Sequence, residues 1–253
     1  MTRLVTVRVS RASADQRRGR AGRLEAGVCY RLWGEGERLE AQSAPEILQA
    51  DLAPLVLELA QWGTQDVSSL AWLDAPPAAA LSQARELLRR LEALDDEGRI
   101  TQHGRRLSEL PLHPRLSHMV VRGAERGHGW LACLIAALVS ERDILSGPGT
   151  SADIGLRLRL LNMASGSREK NPAMRRPRAI AKDIARQAGI EPQRTDSIQQ
   201  AGILLALAYP DRIAQRRPGV APRYLLSNGR GATLAPADPL GASAWLAVAE
   251  LDG

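Results

Sequence analysis

The chain of 253 residues has no phenylalanine and only three tyrosines, so its five tryptophans are the only other large rings. Several aromatics side by side, as in RNA-recognition or single-strand-binding platforms, are therefore not expected. Cysteine is almost absent as well. Cys29 and Cys133 form no C-x-x-C pair, which argues against both a disulfide scaffold and a thiolate metal site. No apolar run approaches the roughly 18 residues of a membrane span. Met1 leads into the alternating segment Leu4 to Ser10 rather than into a basic patch and an apolar block. Neither a membrane anchor nor a signal peptide is read, and the cytoplasm is the expected compartment. Histidine offers no metal site: His113 and His118 are five apart, His103 and His128 stand alone, and no H-E-x-x-H occurs.

Lysine is nearly missing too, since only Lys170 and Lys182 occur among 34 basic residues set against 28 acidic ones, for a net charge of +6. The positive charge is thus almost all guanidinium, the group suited to bidentate contact with phosphate. GC-rich coding, which also raises alanine and glycine, gives the same bias with no function attached. With 44% hydrophobic and 25% charged residues, the chain has the composition of a folded protein of one large or two small domains.

Val5, Val7 and Val9 alternate with polar neighbours as in a strand with one buried face. Ser13 with Gln16 fits a capping box opening a helix over Ala14 to Arg20, with Gly22 as its stop. The segment Gly27 to Trp33 then reads as a second strand, apolar on both faces and so expected inside a parallel sheet. Strand, helix and strand make only the edge of an α/β domain, because the pattern afterwards turns helical. Pro45 and Glu46 open one segment; Asp51 is a candidate cap for Leu52 to Trp62, with Gly63 as stop. Leu81, Ala84, Leu87, Leu88, Leu91 and Leu94 form one stripe of a longer helix. The turn at Asp95 to Gly98, a short strand at Arg99 to Thr101 and a brief helix capped by Thr101 complete a winged-helix pattern. Helices are then expected over 115–126, 130–144, 152–163, 179–188 and 195–209, with the nearly all-apolar stretch from Trp130 to Val139 at the centre of a bundle. Strands return from Tyr224, with a hairpin turn at Ser227 to Arg230. The last one, from Trp245, leaves too little chain to close a β domain.

The stretch Gln16-Arg-Arg-Gly-Arg-Ala-Gly-Arg23 carries the most chemistry. On a helix, Gln16, Arg20 and Arg23 fall at i, i+4 and i+7 and share a face, while Gly19 and Gly22 remove bulk beside it. One amide and two guanidiniums aimed together suit an anion with several oxygens, such as the terminal phosphate of a nucleotide. A solvated basic helix is the competing reading.

The same string resembles the Q-R-x-G-R-x-G-R motif VI of DEAH-box RNA helicases. The similarity continues through Gly27-Val-Cys-Tyr-Arg-Leu-Trp, Trp72-Leu-Asp-Ala-Pro-Pro, Leu110-Pro-Leu-His-Pro-Arg-Leu, Ala208-Tyr-Pro-Asp-Arg-Ile-Ala and Tyr224-Leu-Leu-Ser-Asn-Gly-Arg-Gly-Ala, covering essentially the whole chain. The resemblance implies a mainly α fold with a small α/β edge. Residues 1–43 would be the C-terminal part of a second RecA-like domain, 44–112 a winged helix, 113–210 a helical ratchet-type bundle and 211–253 the start of a C-terminal β module. It also implies that Gln16, Gly19, Arg20 and Arg23 contact the nucleotide, with Arg20 and Arg23 as arginine-finger candidates in catalysis.

The family pattern is incomplete here. No G-x-x-x-x-G-K-[ST] and no Asp-Glu-x-His follow a strand, so the lysine cradle for phosphates and the acidic ligands of magnesium are missing. The expectation is a piece of an ATP-dependent RNA helicase that does not hydrolyse ATP alone, with ATP and Mg2+ held mainly by an N-terminal RecA-like half. Arg157, Arg168, Lys170, Arg175, Arg176 and Arg178 are candidate phosphate contacts for single-stranded RNA, with a solvated helix face as the alternative. Two other classes stay open: a non-enzymatic winged-helix nucleic-acid-binding protein and a protein-interaction module.

Overall fold

The computed structural model describes residues 8–34, 36–145, 147, 149–163, 172–193, 197–219 and 221–251. It is mostly helical, with one small antiparallel sheet. Helix α1 (Arg11–Ala21) opens one residue after its Ser10 cap, whose hydroxyl accepts the Ser13 N–H at 3.3 Å. The cap expected at Ser13 thus lies one turn earlier, and the reason is tertiary. The first helical N–H groups, those of Arg11 and Ala12, donate to the carbonyls of Glu40 and Ala41 at 2.8 and 3.1 Å. Buried Ser10 also meets the Ser43 hydroxyl at 3.2 Å.

Gly27 to Trp33 is not a strand, which corrects the expected edge of a parallel sheet. Strands exist only through ladder partners, and among the described residues none pairs with this segment. Its apolar side chains therefore stand in the open: Val28, Tyr30 and Leu32 are 76, 83 and 93% exposed. The segment is tied instead to α1, through an Arg31–Asp15 ion pair. Gly27 approaches so closely that a Cβ there would lie 2.0 Å from the Ala21 carbonyl oxygen. The strand expected around Val5 and Val7 lies outside the described residues.

The next part follows the apolar pattern closely. Pro45 and Glu46 start only a 3-10 turn, Glu46–Leu48, and α2 (Ala53–Gln61) follows, its first turn held by the Asp51 carboxylate accepting the Ala53 N–H at 2.9 Å. Helix α3 (Ala78–Arg90) buries Ala84, Leu87 and Leu88 against it, and Leu91 and Leu94 continue the stripe in the turn beyond. The expected strand at Arg99 to Thr101 shrinks to a single bridge, Leu94 to Ile100, closed by the Asp95 N–H donating to Arg99 at 2.9 Å. Gly98, at φ 80°, makes the turn, and Thr101 caps α4 (Gln102–Ser108) by accepting the Gly104 N–H at 2.9 Å.

Helices α5 (Pro114–Glu125) and α6 (Gly129–Ser140) form a hairpin in which a Cβ on Gly123 would press Ala132 at 2.9 Å. The apolar α6 is buried from Gly129 to Val139, as its composition requires. It is flanked by α7 (Ile154–Met163), α8 (Pro172–Gln187) and α9 (Ala201–Ala208). Helix α8 begins well before the expected Ala179 and contains Pro177. Buried Met174, Ala181, Ile184 and Ala185 give it an apolar face whose packing outweighs the hydrogen bond a proline removes. The cap expected at Thr195 lies outside the described residues.

One hydrophobic cluster runs from Leu52 through α2 to α9 and ends at Tyr209, continuous across residue 112. The sheet has its own small core of Ala214, Tyr224 and Leu226. Its strands β1 (Ile213–Arg216), β2 (Arg223–Leu226), β3 (Gly231–Thr233) and β4 (Trp245–Ala247) lie in the order β3-β2-β1-β4, all antiparallel. Gly229, at φ 84°, turns the β2–β3 hairpin where the sequence placed it. No helix among the described residues is long and apolar enough to cross a membrane.

Candidate nucleotide and nucleic-acid surfaces

Helix α1 projects Gln16 and Arg20 one turn apart on one face. Both are exposed, and among the described residues neither makes a hydrogen bond or ion pair. Gly19 lies beside them, with nothing within 4 Å of where its Cβ would be. Arg23 departs from the expectation: the helix ends at Ala21 and Gly22 is its C-cap, so Arg23 sits in the following bend, not one further turn along the face. The physical reason is Gly22, which ends the helix as the sequence predicted and thereby removes the i+7 geometry. Arg23 is also exposed and without an ion pair among the described residues. An amide and guanidiniums left bare in this way fit the oxygens of a phosphate chain. A metal is a different matter, because among the described residues no three His, Cys, Asp or Glu side chains cluster to hold one. The residues here thus fit the phosphates of a nucleotide and not its Mg2+.

The basic candidates of the bundle are placed very differently. Arg157 is committed internally: its guanidinium clasps the Asp143 carboxylate at 2.5 and 2.9 Å and donates to the Ser151 and Asp153 carbonyls, leaving 12% of the side chain exposed. Arg176 is exposed on α8 and paired with Glu141 at 2.7 Å. Arg175 is exposed and Arg178 half-buried on the same helix, while Arg168 and Lys170 lie outside the described residues. Arg99 at the turn before α4 pairs with Asp95 and Glu97, both at 2.9 Å.

Two arrangements escaped the sequence reading. Arg115 of α5, nearly buried, forks onto Asp211 at 2.5 and 3.1 Å and donates to the Ala208 carbonyl at 3.1 Å. Its guanidinium and that of Arg212 lie 5.3 and 5.1 Å from the Tyr209 ring centre. The segments Leu110 to Leu116 and Ala208 to Ala214 are thereby clamped together across 96 residues of sequence. Beside the clamp, His113 stands 3.2 Å from Asp51, and its hydrogen bond holds the Asp51 carboxyl down at about 2 against the cost of burial. Asp51, His113, Arg115, Tyr209 and Arg212 line a cleft of about 400 Å³ that also takes in Glu141 and Asp183. The second arrangement joins His103 Nε2 and His118 Nδ1 at 2.9 Å, with the rings edge to face. Burial first, and His103 second, push His118 down to about 4, so the pair shares a hydrogen bond between neutral rings. Pairings of this kind join residues distant in sequence and leave no local pattern to read. Cys133, its thiol pushed up to about 12 by burial, is an inert core residue.

A chain with this helix, turn-and-bridge element and helical bundle is similar to helicases. The winged-helix helicase-associated family (HA2) matches residues 84–112, the stretch from α3 through the turn and α4. The ATP-dependent RNA helicase HrpB of Escherichia coli is 40% identical over 248 residues, covering 97% of this chain and 28% of that protein. The human probable ATP-dependent RNA helicase DHX35 is 36% identical over 158 residues, 61% of this chain and 22% of its own length. Two crystal structures of E. coli HrpB, described as a DExH-box NTPase and as a DEAH/RHA helicase, superpose with TM-scores of 0.71 and 0.72 at 38% identity over 97% of this chain. The chain is HrpB-like and of DEAH-box type, and it spans little more than a quarter of the length of the HrpB it matches.

Proposed function

We propose that this chain provides the nucleotide-sensing helix and the RNA-gripping accessory region of an ATP-dependent RNA helicase acting in the cytoplasm. Gln16, Arg20 and Arg23 would contact the phosphates of ATP, and Gly19 would let the nucleotide approach the helix. Arg20 and Arg23 would stabilise charge developing on the terminal phosphate, while the partner lobe, an N-terminal RecA-like half, holds ATP and Mg2+. Bound there, Mg2+ would neutralise phosphate charge. The proposed division is 1–43 for the RecA-like tail, 44–112 for the winged helix, 113–210 for the ratchet-type bundle and 211–253 for the β module. Single-stranded RNA would run over the basic side of the bundle, with Arg175, Arg176 and Arg178 toward phosphates and Arg157 holding α7 in place. By itself the chain would not turn over ATP.

The single observation supporting this reading is the contrast between guanidiniums. Those of the bundle described above as ion-paired have carboxylate partners within the chain, whereas Gln16, Arg20 and Arg23 have none among the described residues. Grafting the segment into E. coli HrpB, in place of the stretch it matches, gives the test. RNA-stimulated ATP turnover is expected in the chimera and not in the free chain. A chimera whose RNA binding and turnover ignore substitution of all three residues would instead favour a winged-helix nucleic-acid-binding protein without motor chemistry.

A further inference from the structure

The cleft beside the Arg115 clamp opens into a second hollow of about 500 Å³, and the two share Pro111, Leu112, His113 and Gln187. The joined groove follows the segment Leu110 to His113 and reaches from Pro54 and Glu58 of α2 to Ile180 and Asp183 of α8. Part of it is aliphatic, lined by Leu112, Leu116, Val139, Ile180 and Ile184.

Charge in the groove runs against that of the whole chain. Asp51, Glu58, Glu109, Glu141 and Asp183 line it in a protein whose net charge is +6. The basic side chains that face it are already engaged: Arg115 forks onto Asp211, Arg212 lies on the Tyr209 ring and donates to the Ala249 carbonyl at 2.8 Å, and His113 stands against Asp51. Arg176 and Arg186 of α8 reach Glu141 and Asp183 from the solvent side, with 76 and 74% of their side chains exposed. Glu58 and Glu109 are exposed, and among the described residues neither has a cationic partner.

A second feature is independent of these carboxylates. Arg115 lines the groove with only 9% of its side chain exposed, and its bonds to Asp211 and Ala208 use Nη1 and Nη2 alone. Its Nε–H is buried and has no acceptor among the described residues. A buried donor left unmet is costly, and an acceptor carried by a ligand would satisfy it. The groove thus asks for cations, an aliphatic group and a carbonyl oxygen on one occupant. A polyamine brings only the first, and carboxylates repel the phosphates of a nucleic acid. An extended peptide rich in lysine or arginine brings all three, and adjoining hollows of about 400 and 500 Å³ give room for several of its residues.

We propose that this groove holds an extended basic segment of a partner protein, its cationic side chains toward Glu58 and Glu109, an aliphatic side chain against Leu112 and Ile180, and a main-chain carbonyl accepting from Arg115 Nε. The surface is separate from the nucleotide-sensing helix and from the basic side of the bundle.

The test measures binding of a fluorescein-labelled hexapeptide, Gly-Arg-Leu-Arg-Leu-Gly, to the full 253-residue chain by anisotropy across a salt series. The double variant Glu58→Gln/Glu109→Gln is expected to weaken binding about tenfold and to make it less sensitive to salt. Replacing both leucines of the peptide by serine is expected to weaken binding about tenfold as well. Glu25→Gln removes an exposed carboxylate outside the groove and should leave Kd within about twofold. All three substituted positions are exposed, and matching melting curves exclude misfolding as the cause. A peptide that does not bind, or that binds equally well with serines or to the double variant, overturns the proposal. Displacement of the peptide by an oligouridylate that itself loses affinity in the double variant would make the groove an RNA surface. Sedimentation of the chain as a dimer that the double variant dissociates would make it a contact with a second copy, and either result also overturns the proposal.

Discussion

Residues 8–44 and the helical body from Leu52 to Tyr209 are built on opposite principles. The body has a large apolar interior and several internally paired charges: Leu88, Leu91, Leu131, Ile135 and Leu161 are essentially inaccessible, and Arg115, Arg122 and Arg157 have carboxylate partners. Among the described residues of the N-terminal stretch only Ser10 and Ala14 are buried, while Leu24, Val28, Tyr30 and Leu32 are exposed and Arg18 and Arg20 at the end of α1 have no carboxylate partner. The helical body has the interior of an independently stable unit. The N-terminal stretch presents exposed apolar side chains and guanidiniums without carboxylate partners among the described residues, which the proposed function assigns to a second lobe and to phosphate. Buried Arg115 and Arg157 are braces of the body, whereas Arg20 and Arg23 have no carboxylate partner among the described residues.

The contrast can be broken most severely at the brace. Arg115→Ala strips Asp211 of its buried fork and leaves the Ala208 carbonyl unmet, and urea unfolding is expected to show a loss of about 3 kcal/mol. Asp211→Asn should lose less, because one hydrogen bond of the fork survives. Gly104→Ala comes next. Its Cβ would lie 2.2 Å from the Ala93 carbonyl oxygen, so the turn before α4 must move, at a cost of about 2 kcal/mol in the same assay.

The histidine pair sharpens the comparison through pH. His118 is held at about 4 and His103 is also lowered, both from 6.5, so the unfolded chain binds more protons than the folded one between those values. Stability from the pair is complete above pH 6.5 and is lost as pH falls toward 4. The carboxyls of Asp51 and Glu125, each held near 2, add their own losses only at lower pH. The melting temperature should therefore fall between pH 6.5 and 5, and His118→Gln should flatten that part of the curve. At the small end, Arg20→Ala touches nothing in the chain and should change stability by no more than about 0.5 kcal/mol.

The body was legible because periodicity reports burial directly. The stripe Leu81 to Leu94 and the apolar run Trp130 to Val139 became the faces and the centre of the core. Local capping was read correctly where the cap competes with nothing, as at Thr101, and misread at Ser13, where carbonyls from residues 40 and 41 decided the matter. Gly27 to Trp33 has the composition of a strand, but composition cannot supply the neighbour a strand needs. At the candidate site, the motif string placed Gln16 and Arg20 on one helix face, while Gly22, counted as both stop and spacer, took Arg23 off it. Arg115 with Asp211 and His103 with His118 were invisible because each joins residues too far apart in sequence for any local pattern to record.

The most direct measurement is RNA-stimulated ATP turnover by the E. coli HrpB chimera carrying this segment, with and without Arg20→Ala and Arg23→Ala. The account predicts a fall in kcat of about a thousandfold for either substitution, with unchanged melting temperature. Turnover within about twofold of the unsubstituted chimera would contradict it.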